Sequence, residues 1–125
     1  MAGDGIAVAR QRLEDATVLF VRGEVDLPTA PALREAVRAE VDEGTGALVV
    51  DFTDTSLLGA PGAHLLLNAH RRLMRRRRPL AVVAPEGSSA RRTLESVRLL
   101  DTVCVRPSPE AALDAVGGAV LSRAA

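Results

Sequence analysis

The side chains best suited to chemistry gather between Asp51 and His64. Asp51 lies near the end of the apolar run Ala47–Phe52 (ALVVDF), and the hydroxyls of Thr53, Thr55 and Ser56 follow directly. Two further carboxylates, Glu24 and Asp26, stand in the breaker-rich segment Gly23–Pro31 (GEVDLPTAP). Two chemistries suit such residues: a polar rim that binds a partner, or a hydroxyl that accepts a phosphoryl group. In α/β sheets, ligands and partners meet the loops at the carboxyl ends of strands. Asp26 and Asp51 each follow an apolar run, so both can reach that edge. The commoner work of loop carboxylates is to cap a turn or a helix amino terminus. Loop Ser and Thr commonly bond their own backbone.

Other constellations carry less. His64 and His70 are six residues apart and do not share a helical face, and no companion Cys or carboxylate cluster completes a metal site. Cys104 falls in a short apolar run and reads as an inert core thiol. Gly117-Gly118 lacks the Lys and the preceding buried strand of a phosphate loop. No Ser–His–Asp spacing supports a nucleophile, so no catalytic residue and no cofactor is expected. His70 to Arg78 (HRRLMRRRR) could meet nucleic acid or an acidic partner. No aromatic residue stands beside it to stack on bases. It reads as the solvated end of a helix, where cations suit the dipole.

Composition narrows the class. The chain has 125 residues, 16 basic and 16 acidic, is 47% apolar, and contains one Cys and no Trp or Tyr. That length fits one domain, taken as 1–125 with a core over about 6–116, and needs no metal or disulfide staple. A single Cys fits a reducing compartment. Zero net charge argues against a general nucleic-acid coat. The amino terminus lacks a signal peptide's order of parts, and no apolar stretch approaches the roughly 20 residues that span a bilayer. A cytoplasmic protein without a membrane segment is expected.

Elements that would position the central residues follow from periodicity. Residues 6–12 alternate as a half-buried strand, and 17–22 form a second, joined as a hairpin. Ala32, Leu33, Ala36, Val37 and Val41 repeat at helical spacing and end at Gly44 and Gly46. ALVVDF is the signature of a strand covered on both faces. The segment TDTSLLGAPG is read as a connection. A helix is predicted from Pro61, where a proline suits the first turn. Pro79–Pro85 is another buried strand, and Ser88 or Ser89 caps a helix through Leu99. Thr102–Val105 is a short strand. Ser108-Pro109 opens a last helix toward Val116, fraying at Gly117-Gly118. The order is ββαβαβαβα, an α/β fold with a mixed four- to five-stranded sheet flanked by helices.

GEVDLPTAPALREAV, LVVDFTDTSLLGAPGAHLLLNAHRRL and PLAVVAPEGSSARRTLESVRL, in that order, resemble the STAS domain, in particular its bacterial anti-sigma factor antagonist branch. Members of that branch show G-E-[LIV]-D before the first helix. They also show a strand ending in D-[LF]-[ST] and a D-[ST]-[ST]-G tetrad opening the second helix. The match runs from about Val18 to Ala115. The resemblance implies a protein-binding module that regulates sigma factor availability. Its partner would be an anti-sigma factor that is also a histidine-kinase-like serine kinase, and a homodimer is compatible with it. The unphosphorylated form binds that kinase and frees the sigma factor; phosphorylation of a Ser at the second helix start dissolves the complex. A phosphate adds up to about two negative charges where helix N–H groups can hold it.

This sequence departs from the pattern at that Ser. The tetrad falls on Gly59-Ala60-Pro61-Gly62, and Pro61 occupies the phosphorylated position without a hydroxyl. The resemblance places the partner surface on Asp26, Glu24, Thr55, Ser56, Gly59, Ala60, Gly62 and His64. Thr53, Thr55 and Ser56 remain as alternative acceptors. A competing reading is a ligand-sensing STAS module that binds a nucleotide or small anion at the same edge, with Arg91-Arg92 in support. Zero net charge also conceals a division. Residues 13–54 carry ten acidic and three basic side chains, and residues 55–100 carry two acidic and nine basic. The boundary falls beside the Thr53–Gly62 segment.

Overall fold

Ile6–Arg12 (β1) and Ala16–Val25 (β2) form an antiparallel hairpin, closed by the Leu13 N–H donating to the Ala16 carbonyl at 2.7 Å. A computed structural model describes residues 5–124, with side chains through residue 117. The rest of the chain runs α1 (Ala30–Glu43), β3 (Ala47–Asp51), β4 (Thr55–Leu58), α2 (Ala60–Arg75), β5 (Leu80–Val83), α3 (Ser89–Ser96), β6 (Cys104–Arg106) and α4 (Pro109–Ala124). The sheet order is β1-β2-β3-β5-β6, with β4 paired to β2 beyond the end of β3. Only β1 runs antiparallel to its neighbour.

Strand periodicity divides the core in two. Leu48 and Val50 of β3 point to the face covered by α1, α2 and α3, beside Leu33, Leu66 and Leu94. Ala47 and Val49 point the other way, onto Ala112 and Val116 of α4. No helix among the described residues is long and apolar enough to cross a membrane.

The order observed is ββαββαβαβα, with six strands where four or five were expected. The added strand, β4, lies in the segment read as a connection. Smaller shifts occur at helix and strand ends: α1 begins at Ala30, α2 at Ala60, α3 ends at Ser96, and β6 covers Cys104–Arg106. α4 runs through Gly117-Gly118 instead of ending there.

The arginine run departs most from its expected role as a solvated helix end. Arg77 adopts a left-handed φ of 57° just past α2. The Arg78 N–H donates to Leu73 O at 3.0 Å, and the Arg77 N–H to Met74 O at 3.0 Å. This is the paired bonding of a Schellman motif. It turns the buried Arg78 side chain under the end of α1. There its guanidinium donates to the carbonyls of Gly46 (2.8 Å), Val41 (2.9 Å) and Glu40 (3.0 Å). Arg76 also reaches Val41 O. The last carbonyls of a helix have no partner within it, and here arginines just past the next helix supply one. The Glu40 carboxylate, 2% exposed, faces the same end and pairs with Arg10 and Arg12 of β1.

Two substitutions separate these effects in urea unfolding. Arg78→Met removes three donors from buried carbonyls and should cost about 2–4 kcal/mol. Arg77→Gly relieves the left-handed backbone and should add about 1 kcal/mol.

Candidate functional site

β3 stops because Asp51 holds the next residues in a turn. Its carboxylate, 3% exposed, accepts the Thr53 N–H at 2.8 Å and the Thr53 hydroxyl at 2.6 Å. Phe52 is fully buried, and its N–H donates to Val83 O at 3.0 Å. After the turn the chain resumes beside the far end of β2, pairing Gly23 with Thr55, Glu24 with Leu57 and Val25 with Leu58. The register shifts between Gly23 and Glu24, where Gly23 takes a φ of +104° that side chains rarely adopt.

Hydroxyls then fasten β4 on both sides. Thr55 is buried and donates to Val21 O at 2.8 Å, and Ser56 donates to Gly23 O at 3.2 Å. On the open edge, the Leu58 N–H donates to the Ser89 hydroxyl at 3.2 Å, and the Thr93 hydroxyl donates to Leu58 O at 2.6 Å. α3 thus pairs an edge that would otherwise stand unsatisfied.

α2 opens where β4 ends. The Gly59 N–H donates to Val25 O at 2.8 Å, and Gly59 takes the N-cap position with no side-chain cap. Pro61 occupies the first turn, which contains no acidic residue. Gly62 packs against β2 and β4: a methyl there would come within 2.5 Å of Leu58 Cδ1 and 2.8 Å of Val25 Cγ1. The β2–α1 turn lies alongside. Asp26 and Thr29 close it on each other, the Thr29 hydroxyl accepting the Asp26 N–H at 2.9 Å and the Asp26 carboxylate accepting the Thr29 N–H at 3.3 Å.

The structure therefore brings the Asp26 turn and the 55–62 segment to one edge. Glu24, Ser56, Ala60 and His64 are exposed there, Asp26, Gly59 and Pro61 are half-buried, and Thr55 and Gly62 are buried. Sequence reasoning missed two neighbours. Leu27 is 77% exposed and Leu57 is 42% exposed, large apolar side chains beside Asp26 and within β4. An apolar residue inside a turn flanked by Asp and Pro was the available signal for Leu27.

Asp51 is absorbed by its turn. Arg91 directs its guanidinium to Ala84 O (2.8 and 3.1 Å), and Arg92 directs its own to Gly87 O (2.7 Å). His64 and His70 lie on one helix without metal-ligand companions; no cluster of three such groups occurs among the described residues. Cys104 is half-buried in β6.

A family model described as the STAS domain matches residues 7–112. The chain belongs to the STAS domain family. Over 122 residues, 98% of each chain, it is 32% identical to the anti-sigma-F factor antagonist RsfB of Mycobacterium tuberculosis. A crystal structure of an anti-sigma factor antagonist from Mycobacterium paratuberculosis superposes with a TM-score of 0.83 at 33% identity, covering 92% of this chain and 97% of that one. The unphosphorylated form of the anti-sigma factor antagonist SpoIIAA shares the fold at 18% identity, with a TM-score of 0.66 over 90% of this chain and 99% of that one. In this STAS domain the helix start that the resemblance singled out carries glycine, alanine and proline.

Gly62→Ala should cost about 1–3 kcal/mol in urea unfolding, since the added methyl must displace Leu58 or Val25. His70 gives a pH signature. Burial, then the Arg71 charge, lowers its pKa below the usual histidine value, and its Nδ1 is buried without a partner. The unfolded chain binds this proton more readily. Stability should therefore fall as pH drops through roughly 6.5, the unfolded histidine value. His70→Gln should flatten that dependence in unfolding curves taken from pH 8 to pH 5.

Proposed function

We propose that this STAS domain is an anti-sigma factor antagonist that binds an anti-sigma factor of the histidine-kinase-like serine kinase type, without catalysing a reaction itself. Its contact surface is the edge formed by Glu24, Asp26, Leu27, Ser56, Leu57, Ala60 and His64. Thr55, Gly59 and Gly62 shape that edge from beneath. The names of the relatives support the role. The observation that carries the surface is the pair Leu27 and Leu57, exposed beside a helix start with no capping side chain. Exposed apolar side chains grouped within a polar rim mark a protein interaction site.

The regulation we propose is the loss of the phosphorylation switch at this helix start. Pro61 keeps the helix, because its φ is preset and its missing N–H would have no helical partner. It offers no oxygen to a kinase. Binding is then constitutive, set by the concentrations of the two proteins in the cytoplasm and not by phosphorylation.

Pull-down and calorimetry with candidate anti-sigma kinases from the native cytoplasm test both parts. Leu27→Asp and Leu57→Asp should each weaken binding about tenfold or more, the scale of a lost interface anchor. Pro61→Asp, which puts a negative charge at the helix start, should weaken it as well. If all three variants bind as the parent does, the edge is not the interface. Incubation with the kinase and ATP should leave binding intact. Release of the partner with phosphate on Thr53 or Ser56 would show that the switch has moved, and would overturn constitutive binding.

A further inference from the structure

A second surface lies along α2, away from its amino terminus. A groove of about 470 Å³ runs between α1 and α2, from Arg34 to Val41 on one helix and from Leu65 to Arg75 on the other. At 1.5 Å per residue these stretches span about 10–15 Å. The floor is apolar, formed by the buried Val37, Val41, Leu65 and Ala69, and the walls are arginine with Asn68 between them. Two of those arginines are neutralised within the groove. Arg38 pairs with Glu35 and with Asp42 (3.2 Å), and Arg72 crosses from α2 to the same Asp42. Arg34, Arg71 and Arg75 are exposed, and among the described residues no carboxylate lies within ion-pair distance of them. The Arg71 charge is felt locally, since it helps to hold the neighbouring His70 below its ordinary pKa.

We propose that this groove docks an acidic amphipathic helix of a partner protein, whose carboxylates pair with Arg34, Arg71 and Arg75 above the apolar floor. Charge complementarity and pitch both favour this occupant. Arg71 and Arg75 stand one helical turn apart, about 6 Å along the axis, and Glu or Asp at positions i and i+4 of a second helix repeats that spacing. An apolar residue between them would rest over Leu65 and Ala69, as ridges pack into grooves. A nucleic acid is the poorer fit. No aromatic residue lines the groove to stack on a base, and an apolar floor offers nothing to a phosphate backbone. The inference stands apart from the reading of the Leu27–Leu57 edge, because none of its residues belongs to that edge.

The test uses the full chain and two fluorescein-labelled amphipathic peptides of about four turns. One carries Glu at i, i+4 with a Leu stripe, and the other has every Glu replaced by Lys. Fluorescence anisotropy should show the Glu peptide binding and weakening with added salt. Arg71→Glu and Arg75→Glu should each weaken it about fivefold, and the triple reversal with Arg34→Glu should abolish it. The triple variant should instead bind the Lys peptide, a gain that misfolding cannot produce. Leu27→Asp should leave Glu-peptide binding unchanged, which separates this surface from the proposed antagonist edge. The proposal is overturned if the Glu peptide fails to bind the parent chain, or if the reversals leave its affinity unchanged. It is also overturned if a single-stranded oligonucleotide binds more tightly than the peptide and is lost with the same reversals, since the groove would then be a nucleic-acid face.

Discussion

The carbonyl of Val25 accepts the Gly59 N–H at 2.8 Å, and the candidate site depends on how that contact is reached. β2 is ten residues long and serves two parallel neighbours. Ala16–Phe20 pair with β3, and Gly23–Val25 pair with β4. β3 and β4 are in effect one line of chain along β2, interrupted by the turn that Asp51 closes on Thr53. The interruption matters because β5 stops at Val83, whose carbonyl takes the Phe52 N–H. Beyond that point β4 has no strand on its other side, and α3 supplies Ser89 and Thr93 in its place. The start of α2 is thus set by a strand, a turn and a neighbouring helix together. Its own cap contributes no side chain.

This explains why the segment reads as a connection in sequence. Thr-Asp-Thr is turn chemistry, and Ser56 and Leu57 are both exposed while Thr55 and Leu58 are buried, a pattern without strand period. What makes Thr55–Leu58 a strand is the tail of β2, more than 30 residues earlier, and a bulge at Gly23 that re-aims that tail. Local propensity cannot report a partner that distant. By contrast, the continuous burial of ALVVD and the helical spacing in α1 and α2 declare themselves, because each residue's neighbours along the chain carry the signal. The family motifs were legible for the same reason, and so was the place of Pro61. Which of the motif residues face solvent was not: Thr55 turns its hydroxyl inward to Val21, while Leu27, in no motif, is the most exposed of the large apolar side chains described.

The arginine run makes a related point about charge. Four consecutive arginines suggest a uniform solvated cluster, yet their roles diverge within one turn of chain. Arg77 takes the left-handed position that ends α2, and that reversal alone carries Arg78 inward to the carbonyls at the end of α1. No residue type marks the event, since glycine is the usual occupant of that position. Burying a guanidinium costs free energy unless its donors are matched. The carbonyls of Glu40, Val41 and Gly46 take one donor from each of its three nitrogens, and the Glu40 charge offsets part of the remaining cost. The helix pair on which the site rests is therefore joined at its far end by polar contacts as much as by Val37, Val41 and Ala69.

The division of charge along the chain also changes meaning once the chain is folded. Its acidic first part and basic second half do not form two faces. α1 and α2 run side by side: Asp42 of the first pairs with Arg72 of the second, Arg76 and Arg78 just past α2 bond the last carbonyls of α1, and the Glu40 carboxylate is held by Arg10 and Arg12 of β1. That internal pairing engages Asp42 and leaves Arg34, Arg71 and Arg75 of the groove without a carboxylate partner among the described residues. The opposite holds at the amino end of α2, where Asp26 closes its own turn and no basic residue stands in the first turn of the helix. The two ends of α2 thus lie in chemically distinct surroundings: an edge at Gly59–His64 bordered by Glu24, Asp26, Leu27 and Leu57, and a basic groove toward Arg75. The sixteen residues of α2 span about 24 Å at 1.5 Å each, about three times a Debye length of roughly 8 Å, so charge at one end is largely screened from the other. A partner that reads charge at one end is therefore insensitive to what occupies the other, unless it is large enough to touch both.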